Sequence, residues 1–153
     1  MPPAAKHSQN AMSPLVLPSF IVREIECHAR ETAPEECCGL LGGKGRVVES
    51  LYRLRNVAET PETRYWADVK DVFAAFRLMR QRGQKLLGIY HSHPRGEPRP
   101  SETDIRQAYY PEAVYFIITL EPTVCLRAYR IVGGEVEDVS YDVADDLLCG
   151  STR

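Results

Sequence analysis

One short run limits this chain more than any other part of it. Leu86-Leu87-Gly88-Ile89-Tyr90 leads without a break into His91-Ser92-His93-Pro94. The first five residues read as a buried strand. Side chains two apart on an extended backbone point the same way, so His91 and His93 face one point where that strand ends.

Around it the spacing predicts a regular alternation of elements. Ser19 caps a helix in which Ile21, Ile25 and His28 or Ala29 share a face, and the helix ends near Pro34. Cys37 to Gly43 is an apolar run closed by glycines, and Val47 to Leu54 is a second strand. Tyr65-Trp66-Ala67 adds a short extended piece, after which Asp68 caps an amphipathic helix. Val69, Val72, Phe73, Phe76 and Met79 fall at helical spacing there, and Gly83 stops it. Beyond the histidines, Ser101 caps a helix of about two turns. Ala113 to Leu120, Thr123 to Ile131 and Glu135 to Tyr141 are three further strands, separated by Glu121-Pro122 and Gly133-Gly134. This order indicates an α/β fold with a mixed sheet between helices. At 153 residues the chain fits one domain. Residues 1–17, rich in Pro, Ala, Ser and Asn, read as a flexible leader, 18–145 as the domain and 146–153 as a flexible tail.

The residues between Pro94 and Thr103 form a loop long enough to return Asp104, in the first turn of the next helix, to the two imidazoles. Two nitrogens, a carboxylate oxygen and a water make the open arrangement of a catalytic zinc ion. Such a site needs a base near the water. Glu36, just before the apolar run at Gly39, is the candidate, and spacing alone does not separate it from Glu35. Taken singly, each feature has a plainer meaning. Most H-x-H pairs are ordinary histidines, Ser101-x-x-Asp104 is a capping box, and an isolated Glu36 is a surface carboxylate. Their joint placement at a strand end and a helix start is what points to a metal.

Composition narrows the partners. The formal net charge of −2 offers no general attraction to nucleic acid or an anionic membrane. Five cysteines, an odd number without a C-x-x-C pair, fit reduced thiols in a cytoplasmic protein. No apolar stretch reaches the roughly 20 residues needed to span a bilayer.

The combined pattern resembles the JAMM/MPN+ family of zinc metalloproteases: a distant Glu, then H-[ST]-H-P, then a Ser three residues before an Asp. Here that is Glu36, His91-Ser92-His93-Pro94 and Ser101-Glu102-Thr103-Asp104, with Pro34-Glu35-Glu36-Cys37-Cys38-Gly39-Leu40-Leu41 matching the run around the glutamate. The resemblance selects Glu36 over Glu35 and implies a curved mixed sheet of cytidine-deaminase-like architecture. It implies one Zn2+ held by His91, His93 and Asp104, with Glu36 moving a proton from water to the leaving amine. Ser101 is implied as the oxyanion donor, in competition with its capping role, while Ser92 points away from the imidazoles. Cys38 is expected as a core thiol. Members cleave the peptide or isopeptide bond after the C-terminal glycine of ubiquitin-like proteins. The absence of long insertions resembles the short prokaryotic branch, which implies a sulfur-carrier or ubiquitin-like substrate with a C-terminal diglycine.

Two other functions compete. A non-catalytic scaffold of the same fold is expected to have lost ligands, and every motif position is present here. A nucleobase deaminase supplies H-x-E and P-C-x-x-C, and the chain has neither.

Overall fold

The computed structural model describes residues 13–145. In chain order the elements are β1 (Leu15–Pro18), α1 (Ser19–Thr32), β2 (Cys38–Lys44), β3 (Val47–Leu54), α2 (Val69–Gln81) and β4 (Lys85–Arg95). They continue with α3 (Glu102–Arg106), β5 (Val114–Glu121), β6 (Cys125–Val132), β7 (Glu135–Val139) and β8 (Tyr141–Ala144). The strands form one mixed sheet in the order β7-β6-β5-β4-β2-β3-β1-β8.

That order dictates the shape. β7 and β8 stand at opposite edges of the sheet, yet only Ser140 separates them in the chain. The sheet must curl until its edges nearly meet. Tyr141 closes the seam, its hydroxyl donating to the Leu126 carbonyl at 2.9 Å and its ring edge-on to Phe116 at 5.4 Å.

Alternation along the strands splits the core into two layers. Against α1 lie Leu17, Leu41, Tyr90 and Phe116 with the helix's Ile21 and Ile25. On the other face, Leu40, Ile89 and Tyr115 pack with Ala75 and Met79 of α2. His91 and His93 continue the face of Ile89, whereas Ser92 continues that of Tyr90. β2 lies antiparallel to β4 with Gly39 opposite Tyr90. A Cβ on Gly39 would stand 2.3 Å from the Tyr90 ring, so this position admits only glycine.

Three expectations need correction. Residues 15–17, expected in a leader, form β1, whose Leu15 and Leu17 are fully buried and which pairs in parallel with both β3 and β8. The flanking prolines disguise it, since Pro18 ends the strand and becomes the N-cap of α1. The expected cap, Ser19, instead donates its hydroxyl to the Ala144 carbonyl at 2.7 Å and so ties down β8. The expected single strand from Glu135 to Tyr141 is two strands, because at Ser140 the chain crosses from one sheet edge to the other. Residues 1–12 of the expected leader and the expected tail (146–153) lie outside the described residues.

Candidate metal centre

The two imidazoles leave the end of β4 on the α2 face, and α3 brings in the carboxylate. His91 Nε2, His93 Nε2 and Asp104 Oδ2 stand 3.1 Å from one another. The other side of each group fixes its orientation. His93 Nδ1 donates to the Glu97 carbonyl at 2.8 Å, which turns Nε2 toward the centre. Asp104 is held by a reciprocal cap: Ser101 N–H donates to Oδ2 at 2.9 Å, and Asp104 N–H donates to Ser101 Oγ at 3.0 Å.

This cap corrects the expected conflict between the two roles of Ser101. In the cap the hydroxyl oxygen accepts, using a lone pair, so its proton stays free to donate elsewhere.

Glu36 arrives from the neighbouring strand. Cys38 pairs with His91, and Ser92 N–H donates to the Cys37 carbonyl at 3.0 Å, so Glu36 comes beside His93. The ligand atoms of Glu36, His91 and His93 lie within 4.8 Å of one another. Glu36 is only 5% exposed, and its Oε1 has no hydrogen-bond partner. Burial pushes its carboxyl up to about 8. Glu35, by contrast, is exposed.

Burial also pushes both imidazoles down. At His91 burial prevails, whereas at His93 the bonds to Asp104 and the Glu97 carbonyl overcome it and the net direction is up. For Asp104, burial is opposed by hydrogen bonds from both histidines, which together hold it below the usual carboxylate range.

The donor set fits a divalent cation. Three polar atoms 3.1 Å from one another need positive charge between them, as shared protons or as a cation, and all three lie within reach of one ion at about 2.0–2.2 Å. Glu36 is buried beside them with an orphan oxygen, a group that a nearby cation would stabilise. The three atoms at mutual 3.1 Å are the tighter set, and Glu36 stands beside them as the second carboxyl of the site.

Ser92 turns to the other face and accepts from Cys37 N–H at 2.8 Å. Cys38 is a buried thiol directed at the Leu54 carbonyl, 3.7 Å away. Sequence reasoning missed Tyr65, whose ring stacks on His91 with centroids 4.5 Å apart. It also missed that α2 does not bury its whole apolar stripe. Val69 is 58% and Phe73 67% exposed, and with Trp66, Tyr110, Tyr115 and the Tyr65 that stacks on His91 they line a groove of about 370 Å³. The excess of aromatic residues in 65–76 over what one helix face needs was the available signal.

Residues 18–132 match a family described as prokaryotic homologues of the JAB domain. A desampylase of Haloferax volcanii is 34% identical over 122 residues, covering 76% of this chain and 86% of its own. A CysO-cysteine peptidase of Mycobacterium tuberculosis is 34% identical over 134 residues, covering 86% of this chain and 92% of its own. Among solved structures, a protein of Desulfitobacterium hafniense superposes with a TM-score of 0.79 at 33% identity, over 86% of this chain and 94% of that one.

Proposed function

Because this chain belongs to the family of prokaryotic JAB-domain homologues, we propose that it hydrolyses the bond after the C-terminal glycine of a ubiquitin-like or sulfur-carrier protein. His91, His93 and Asp104 hold one zinc ion. The observation that carries this reading is the convergence of their three donor atoms at 3.1 Å, with a buried carboxyl behind them. Zinc bound there supplies Lewis acidity, lowering the pKa of water toward about 7 and polarising a carbonyl.

The chain's own residues do the rest. Glu36 takes a proton from the attacking water and returns it to the departing amine. Its burial keeps bulk water from competing for that proton. Ser101, its oxygen engaged by Asp104 N–H, directs its free proton at the carbonyl oxygen as negative charge develops. The aromatic groove receives apolar surface of the substrate protein and so orients its tail toward the centre. The names of the desampylase and CysO-cysteine peptidase relatives support a small carrier protein as the partner. Among the described residues, no helix is long and apolar enough to cross a membrane.

The test is a panel of diglycine-tailed ubiquitin-like proteins fused through peptide or lysine isopeptide bonds, incubated with the purified chain and weighed by mass spectrometry. The expected product is a carrier ending in glycine, with cleavage abolished by a chelator and restored by zinc. Cleavage that survives full metal removal, or a zinc-loaded chain that cleaves none of the fusions, overturns the reading.

A further inference from the structure

We propose that the loop joining β3 to α2, residues 55–68, is the template of the centre: Asn56 positions Glu36, and Tyr65 positions His91. The inference rests on reading Glu36 as the base and His91 as a metal ligand.

The Asn56 amide is fully used. Its Nδ2 donates to the carbonyls of Glu36 at 3.0 Å, Arg64 at 2.9 Å and Pro61 at 3.4 Å. Its Oδ1 accepts from Ala58 N–H at 3.0 Å and Trp66 N–H at 2.9 Å. Glu36 N–H in turn donates to the Pro61 carbonyl at 2.8 Å. Both ends of the Glu36 residue are therefore held by this loop. That matters because Glu36 precedes the first residue of β2, and its Oε1 meets no partner that could orient the carboxyl. The direction of the base is set through its backbone.

The second half concerns His91. A metal-bound imidazole is normally oriented by an acceptor on its other nitrogen. His93 has the Glu97 carbonyl, but His91 Nδ1 is buried without a hydrogen-bond partner. The Tyr65 ring lies against that imidazole at 4.5 Å with 29° between planes, and this stacking takes the place of the missing hydrogen bond. Tyr65 precedes Trp66, whose N–H Asn56 holds. One amide thus ties together the base and the buttress of a ligand. Neither residue touches reacting atoms, so both are positioning residues.

The experiment compares the full chain with Asn56→Asp, Tyr65→Leu and Tyr65→Phe. It measures zinc affinity by chelator competition, kcat and KM on a diglycine fusion, and exchange of the Glu36 amide by NMR. Asn56→Asp keeps the shape and both Oδ1 contacts but turns an oxygen toward three carbonyls. It is expected to lower kcat by about tenfold or more, leave KM and zinc affinity within about twofold, and speed Glu36 amide exchange about tenfold. Tyr65→Leu is expected to weaken zinc binding about tenfold, and Tyr65→Phe to restore it, because the ring and not the hydroxyl is the buttress. If Asn56→Asp does not fold, Asn56→Ala is judged on the same readouts. Unchanged Glu36 exchange in the Asn56 variant, or wild-type zinc affinity in Tyr65→Leu, overturns the proposal. A wild-type chain that cleaves no fusion defeats the functional reading alone, since the affinity and exchange measurements still decide this one.

Discussion

Glu36 shows most plainly how this chain concentrates chemistry in single residues. Burial that pushes its carboxyl up to about 8 leaves it largely protonated at neutral pH until a cation draws near. Its proposed role as the base predicts that Glu36→Gln keeps the fold and the binding of substrate but lowers kcat about 10³-fold, read by steady-state kinetics. A loss confined to KM would contradict that role. Ser101→Ala removes both a cap and a donor. It should lower kcat about 10²-fold and Tm by several degrees, whereas Ser101→Asp, which can still cap, should recover the Tm and not the kcat. Burial, with Arg53 nearby, pushes the His28 imidazole down to about 4, while its Nδ1 meets the Tyr90 hydroxyl at 2.7 Å. The fold therefore favours neutral His28. Its contribution is complete above the unfolded value of about 6.5 and is lost as pH falls toward 4. Thermal melts across that interval should show His28→Gln losing less stability than wild type on acidification. Equal losses would remove His28 as the cause. The convergence of the candidate residues was legible because ligand chemistry prescribes residue types at set places: paired histidines on one strand face, and a carboxylate at a helix start. The direction of the Ser101 hydrogen bond was not, because a sequence shows a hydroxyl without showing which of its capacities is engaged.

Among the elements, α2 departs furthest from a plain amphipathic helix. Its periodicity announced an apolar stripe, but periodicity does not tell how much of a stripe the sheet covers. Ala75 and Met79 are buried, whereas Val69 and Phe73 stand over the groove. Phe73→Ser is therefore expected to leave Tm nearly unchanged and to raise KM about tenfold at constant kcat, the mark of binding shared by ground and transition states. A large fall in Tm would place Phe73 in the core instead. The strands at the two seams were the least legible elements. β1 hides between Pro14 and Pro18, and its ladder partners come from β3 and β8, far along the chain. β7 and β8 follow one another with a single residue between them, and the change of edge at Ser140 carries no glycine or proline to mark it. Local pattern finds strands. It does not find the partner that makes a strand worth forming.

At the scale of the whole molecule, the curled sheet serves the centre. β4 lies between β2 and β5, so the histidines extend from a strand paired on both sides, and β2 delivers Glu36 from the same ladder. The helices cover the two faces, and α3 with its capping box closes the ring of donors. An α/β domain was legible from the order of elements. Its curvature is a property of pairings between distant segments and entered the sequence argument only through family resemblance. The claim on which all else depends is that His91, His93 and Asp104, and not Glu36, grip one zinc ion. Native mass spectrometry of zinc-loaded protein tests it directly, on wild type, His91→Ala, Asp104→Ala and Glu36→Gln. One zinc per chain is expected in wild type and Glu36→Gln, and none in the other two; zinc retained by Asp104→Ala and lost from Glu36→Gln would overturn the assignment of the ligands.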